Sequence, residues 1–211
     1  MPLRTSASAV LLACVLAGCS TTTGGNALPS SSSGDSTAPG ASTNPNVPKV
    51  ASPITVPQDY LGDPCKAVPP ALLTEMQFTK PGKPHTDPAS IDAKAGPACT
   101  WTIVIGAQGL GLSVAILTGN RDRGIGGLAG LYTGKDSGQV GFVEPGPDVE
   151  GYPAVYSDAR DRRADGDCVM FVGIADDLDF NVGATGYQGQ QDSCDAAQKV
   201  AAAVVKTLKG A

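Results

Sequence analysis

The chain has little of what most catalytic and nucleic-acid-binding sites are built from. Its 211 residues include one histidine, one tryptophan and 5% aromatic residues, and its 15 basic residues are outnumbered by 20 acidic ones. A lone histidine excludes a pair of histidine ligands on a metal. An acidic balance argues against binding to a phosphate backbone, so we expect no nucleic-acid partner. No apolar run approaches the roughly 20 residues of a spanning helix.

The apolar run at the N-terminus has the length and flanks of a signal peptide. Arg4 precedes the apolar residues 7–16, and small residues follow them. The run closes on Leu16-Ala17-Gly18-Cys19, which resembles the lipobox of bacterial lipoproteins. The resemblance implies that the signal peptide 1–18 is removed and that Cys19, now the first residue, is acylated with fatty chains such as palmitate. The alternative is an ordinary secretory signal in which Cys19 is incidental.

For residues 19–58 we predict a lipidated cysteine followed by a flexible tether. The segment is rich in Ser, Thr, Gly, Asn and Pro and has too little apolar surface to offset the entropy of ordering it. A chain of this length reaches roughly 35 Å, so it would lift residues 59–211 off the membrane. Loss of Arg4 leaves 14 basic against 20 acidic residues. We therefore expect attachment to the extracytoplasmic face of the cell membrane through acyl chains alone.

Residues 59–211 predict a single α+β domain with an antiparallel sheet of five to six strands. A short N-terminal helix falls within 68–76, a long surface loop over 79–97, and the last helix begins at Asp192 or Ser193 and ends at Lys209. The apolar stripe of the last helix predicts that it packs on one face of the sheet. Residues 120–134 are predicted to form a loop with a weak helical turn, because their several glycines disfavour a stable helix. Alternation and turn residues predict strands at 99–105, 110–117, 139–143, 152–156, 167–174 and 178–184.

Four cysteines remain once Cys14 is removed and Cys19 is acylated, and they lie at positions 65, 99, 168 and 194. An even count in an exported domain predicts two disulfides, and four cysteines allow three connectivities. We predict the pairs Cys65 with Cys99 and Cys168 with Cys194, because each joins one cysteine-bearing element to the next. A zinc site is disfavoured because there is no Cys-x-x-Cys, and no cofactor is expected.

A series of short motifs carries a resemblance to a known family. In order these are Asp63-Pro64-Cys65, Cys99-Thr100-Trp101, Gly151-Tyr152-Pro153-Ala154, a strand containing Cys168, and Cys194 opening an alanine-rich helix. Over residues 60–209 this order resembles a family of actinobacterial lipoproteins built on a domain of unknown function. The resemblance implies placement in the envelope and brings no catalytic residues. The glycine-rich segment 124–130 departs from the better helix expected there.

Other motifs have simpler interpretations as structure than as sites. Gly124 to Ala129 fits Gly-x-Gly-x-x-Ala, but no strand ends immediately before it, which favours a loop over a nucleotide site. Ser113 lies inside a predicted strand and not at the strand-to-helix turn that a nucleophile elbow requires. His85 is expected in a surface loop. Trp101 is expected to pack over the disulfide at Cys99, with sugar stacking as the alternative.

Two acidic clusters also favour structure over metal binding. Asp158, Asp161, Asp165 and Asp167 enclose arginines 160, 162 and 163, so their charges largely neutralise one another. A calcium loop would need a closing glutamate, which is missing. Asp176, Asp177 and Asp179 suit a tight hairpin turn.

These observations lead to three hypotheses for function. The first is a non-enzymatic envelope lipoprotein that presents a binding or accessory surface to a protein partner. The second is a carrier or sensor that holds an apolar, lipid-like ligand between sheet and helices. The third is an envelope hydrolase, which is disfavoured because one loop histidine does not assemble a nucleophile, a base and an orienting group.

Overall fold

The computed structural model describes residues 44–210, which lie in the compact unit Thr37–Ala211. The predicted signal peptide, Cys19 and the predicted tether up to residue 43 lie outside the described residues. Within 44–210 no helix is both long and apolar enough to cross a membrane.

One antiparallel sheet of seven strands organises the described residues, one strand more than the upper prediction. Its spatial order is β1-β2-β3-β7-β6-β5-β4, so two meanders, β1–β3 and β4–β7, meet where β3 pairs with β7. The strands are β1 Lys83–His85, β2 Ala98–Ile105, β3 Gln108–Ile116, β4 Phe142–Pro145, β5 Ala154–Asp158, β6 Cys168–Ala175 and β7 Leu178–Thr185.

The extra strand is β1, which lies inside the segment predicted to be a long loop. It pairs with only three residues of β2, at Thr100, Cys99 and Ala98. Pro84 at its centre fits an edge strand, because a proline has no backbone N–H to donate and an edge strand has a ladder on one side alone. Because the pairing with β1 reaches Thr100 and goes no further, residues 101–105 of β2 have no described strand on the edge away from β3.

The predicted hairpin of β2 and β3 is confirmed. Ile105 pairs with Gln108, leaving a two-residue turn of Gly106 and Ala107. Gly106 has φ 63°, a conformation in which a glycine avoids the strain that a side chain would bring. The later strands are confirmed as well, although β4 begins at Phe142, three residues after its predicted start.

Among residues 44–210, five α-helices and three short 3-10 turns pack around the sheet. The predicted short helix near residue 70 and the long last helix are confirmed. The last helix begins at Gln190, earlier than predicted, because Gly189 with φ 85° precedes it, and Ser193 bonds within its first turn instead of capping it. The helices are α1 Gln58–Gly62, α2 Pro70–Glu75, α3 Thr118–Asp122, α4 Gly127–Asp136 and α5 Gln190–Lys209; the turns are Pro64–Ala67, Ile91–Ala93 and Arg163–Asp165.

Helix α5 covers one face of the sheet, as predicted. Its stripe is buried against alternate residues of β7 and β6, which include Phe180 and Met170. Burying such side chains contributes about 1.5–3 kcal/mol each. The buried stripe of α5 consists of Ala197, Val200, Ala201, Val204, Val205 and Leu208.

Helix α4 lies on the opposite face, where the prediction of a loop with a weak turn was wrong. Its glycines let the backbone approach neighbouring chain too closely for any side chain. A Cβ on Gly126 or Gly127 would collide with the carbonyl oxygens of Asp177 or Asp176 in the β6–β7 turn. The low helix propensity of glycine is therefore outweighed by tertiary packing.

The domain also begins earlier than residue 59, the predicted boundary. Ile54 and Val56 are each only 9% exposed and belong to the main core. Ile54 N–H donates to the Ile174 carbonyl at 2.8 Å, and Tyr152 Oη donates to the Ser52 carbonyl at 2.8 Å. Residues 50–56 therefore belong to the packed domain, although the sequence analysis assigned them to the predicted tether.

Candidate functional site

Both disulfides have the predicted pairing. Cys65 bonds Cys99, tying the turn Pro64–Ala67 to β2, and their Cα atoms lie 5.0 Å apart. Cys168 bonds Cys194, tying β6 to α5, with Cα atoms 5.2 Å apart. Loops of these lengths contribute roughly 3–4 kcal/mol each in the chain-entropy account.

An apolar cleft of about 460 Å³ opens beside the Cys65–Cys99 disulfide. It lies between α2 with the turn before it and the start of β2. Its volume falls within the roughly 300–1,000 Å³ of small-molecule sites, and its walls are mainly apolar. The apolar lining comes from Val68, Pro70, Leu73, Phe78, Pro81 and Trp101.

Two of the motifs that carry the family resemblance meet at this cleft. Cys65 from Asp63-Pro64-Cys65 and Trp101 from Cys99-Thr100-Trp101 both line it. Trp101 is 3% exposed. A Cβ on Gly82 would lie 2.6 Å from the indole Nε1 and would also collide with Cys99 Sγ. The prediction that Trp101 packs beside the disulfide is confirmed, and Gly82 is the residue that leaves room for both.

The polar groups at the cleft are basic or neutral. Lys66, Lys80, Thr74 and Thr79 line it, and no lining residue is acidic. Lys66 forms an exposed ion pair with Asp63 at 3.7 Å, a geometry that contributes little energy. Within residues 44–210, neither the Lys80 ammonium nor the Trp101 indole N–H has a hydrogen-bond or ion-pair partner.

A second gap of about 330 Å³ continues from the cleft along the free edge of β2. It shares Thr79 and Lys80 with the cleft and is bounded on the other side by residues 102–105. Val104 is 77% exposed and Ile105 46% exposed there. Apolar surface thus extends from the cleft towards the tip of the β2–β3 hairpin.

His85 does not lie in a loop: it belongs to β1 and contacts two other polar side chains. Its Nε2 is 3.1 Å from Thr100 Oγ1, and its Nδ1 is 3.3 Å from Asp92 Oδ2. Sequence reasoning missed this cluster because Asp92 approaches through the turn Ile91–Ala93. A hydroxyl, imidazole and carboxylate in this order match the pattern of an activated nucleophile.

The surroundings of Thr100 do not complete that pattern. Thr100 sits in mid-strand, paired with Lys83 on one side and Ser113 on the other. The backbone N–H groups around it belong to sheet ladders, which leaves them unable to stabilise an oxyanion. Ser113 is a strand residue, as predicted. We therefore interpret the cluster as a set of structural polar contacts that joins His85 of β1 to Thr100 of β2 and to Asp92.

Two arginines of the acidic cluster near residue 160 pair with its carboxylates, as predicted: Arg162 with Asp167 and Arg163 with Asp161. Arg163 is 7% exposed and binds Asp161 Oδ2 at 2.6 Å and Glu144 Oε2 at 2.7 Å. Its guanidinium also lies over the Phe142 ring at 4.8 Å. Hydrogen bonding to Arg163 lowers the pKa of Asp161. In the described range, no three His, Cys, Asp or Glu side chains are grouped so that they could hold a metal ion.

Asp179 was grouped with the turn residues Asp176 and Asp177, but it lies in β7, within the predicted strand 178–184, and is buried beneath the start of α4. It is 2% exposed, and its Oδ1 accepts a hydrogen bond from the Gly127 N–H at 3.0 Å. Burial raises the pKa of Asp179 to about 7, although the hydrogen bonds from Gly127 and from its own backbone N–H act in the opposite direction. The turn itself consists of Asp176 and Asp177, between β6 and β7.

The Gly124 to Ala129 motif is not a phosphate-binding turn. Gly126 and Gly127 pack on the β6–β7 turn, and α3 instead of a strand precedes them. The Gly127 N–H, at the start of α4, already donates a hydrogen bond to the Asp179 carboxylate.

Fold and site define an α+β domain with two disulfides and one apolar cleft beside the first of them. A family model described as "Protein of unknown function (DUF3558)" matches residues 14–207, and the chain belongs to this family. The match supports the predicted domain of unknown function and assigns no activity. No curated protein and no solved structure matches the chain.

Proposed function

We propose that the chain is a lipid-anchored envelope protein that binds an apolar ligand in the cleft beside Cys65 and Cys99. The cleft is the observation that carries the proposal, because a largely apolar concavity with a few polar groups at its edge is the usual form of a small-molecule site. It favours the second of the three hypotheses, a carrier or sensor. We propose no catalytic role, since the single histidine lies in the cross-strand cluster described above.

Export is the part of the proposal that rests on the sequence. Leu16-Ala17-Gly18-Cys19 provides the anchor, and two disulfides suit an oxidising compartment. The extracytoplasmic face of the cell membrane is the location that agrees with both. A protein partner in the envelope remains the first hypothesis from the sequence, for which the exposed residues Val104 and Ile105 offer a surface.

Native mass spectrometry of the unreduced protein from its own host tests anchor, disulfides and ligand together. We expect a chain that begins at Cys19, carries acyl mass on that residue and contains two disulfides. We also expect a fraction with an additional bound small molecule. An intact first residue, Met1, or four free thiols would contradict the proposed location.

A variant in which a larger side chain narrows the cleft tests whether the ligand binds there. Trp101 is the only tryptophan, so its fluorescence reports on the cleft alone. We expect 11-bromoundecanol, a neutral apolar quencher, to quench Trp101 in the native protein and to lose most of this effect in Thr74→Phe, because Thr74 lines the cleft. Ala71→Phe is the matched control, an exposed position on the same helix outside the lining. Equal quenching in both variants would show that the probe binds elsewhere.

A further inference from the structure

We infer that the cleft selects a single-chain anionic amphiphile, with its apolar chain against Trp101 and its charged head between Lys66 and Lys80. This inference rests on the proposed function and adds the chemical class of the ligand. Three observations on the cleft support it.

The first observation is the sign of the charge at the cleft. The whole chain carries a net charge of −5, yet the charged residues that line the cleft are two lysines. On an acidic protein this local excess of positive charge attracts anions and disfavours cationic ligands. A neutral ligand would gain nothing from it.

The second observation is the availability of these donors. The Lys80 ammonium has no partner within residues 44–210, and Lys66 is held only by an exposed pair at 3.7 Å. The Trp101 indole N–H, which lies beside Gly82, has no hydrogen bond in the described part of the chain. Charge-assisted hydrogen bonds from such donors to a carboxylate or phosphate are stronger than those to a neutral hydroxyl.

The third observation is the division between apolar walls and polar edge. Val68, Leu73 and Phe78 are each at most 9% exposed, while Lys66 and Lys80 are exposed. An amphiphile divides its surface in the same way. A volume of about 460 Å³ lies in the lower half of the range for small-molecule sites, which suits one chain better than a lipid with several.

The test compares two brominated probes that differ only in the head group. Binding of 11-bromoundecanoate and 11-bromoundecanol to the full acylated protein in phosphatidylcholine nanodiscs is followed by quenching of Trp101. We expect the carboxylate to bind the native protein about tenfold more tightly than the alcohol, and this difference to disappear in the double variant Lys66→Ala, Lys80→Ala.

The matched control is Lys83→Ala, Lys94→Ala, which removes the same charge at two exposed positions outside the cleft. Lys83 pairs with Thr100 and so lies on the sheet face away from Trp101. We expect this control to keep the preference for the carboxylate. Equal affinities for the two probes, or equal losses in both double variants, would overturn the anionic class while leaving the apolar site intact. Quenching by neither probe would overturn the proposed function as well.

Discussion

The Gly127→Ala variant is expected to lose about 2–5 kcal/mol of its free energy of unfolding. Gly127 has φ 68°, which costs an alanine roughly 1–2 kcal/mol. The new Cβ would also collide with the carbonyl oxygen of Asp176, so either α4 or the β6–β7 turn must move. Forced shifts in a packed region cost roughly another 1–3 kcal/mol. Urea unfolding of the oxidised protein, followed by Trp101 fluorescence, measures the loss.

Gly124→Ala separates the two contributions. Gly124 has φ 72°, almost the same backbone conformation, but nothing lies within 4 Å of a Cβ built on it. We expect this control to lose only the conformational part, roughly 1–2 kcal/mol. If both variants lost the same amount, the close approach of α4 to the turn would have no energetic importance.

Replacing Asp179 with asparagine is expected to change how stability depends on pH. The pKa of Asp179 is raised to about 7 in the folded protein, so the folded state holds this proton where the unfolded state, with a pKa of about 3.9, has released it. The contribution of Asp179 to the free energy of unfolding is therefore complete below about pH 4 and is lost as the pH rises towards 7. Its total is on the order of 4 kcal/mol.

Asparagine keeps an oxygen that can accept the Gly127 N–H and cannot ionise. We expect the stability of Asp179→Asn relative to the native protein to increase between pH 4 and pH 7 and then to level off. Urea unfolding at a series of pH values measures this. Asp177→Asn, an exposed position in the adjacent turn, is the control and should follow the native profile. Parallel profiles for the native protein and Asp179→Asn would show that the buried carboxyl ionises normally.

The elements that could be predicted from sequence are those in which local pattern and tertiary packing agree. The stripe of α5 and the alternation in β2, β3, β6 and β7 each bury the face that their apolar periodicity indicates. The disulfide pairing was predictable because consecutive cysteine-bearing elements are also neighbours in space.

The elements that could not be predicted depend on distant partners. Helix α4 requires the β6–β7 turn, about 50 residues later, to occupy the space its glycines leave. Strand β1 contains Pro84 and is recognised only through its pairing with β2. The cleft combines residues from 65–82 with Trp101, and the pairing of Cys65 with Cys99 was the one sequence signal that placed these segments together.

The place where β3 meets β7 has a consequence for how the chain matures. Every other ladder joins strands that follow one another, whereas this one closes a separation of about 70 residues and is buried at the centre of the sheet. Each half can form early by local zippering, but neither acquires a complete hydrophobic interior until the other has been synthesised and has docked. If the chain is exported as proposed, it would remain incompletely folded until the residues that follow β3 had also crossed the membrane.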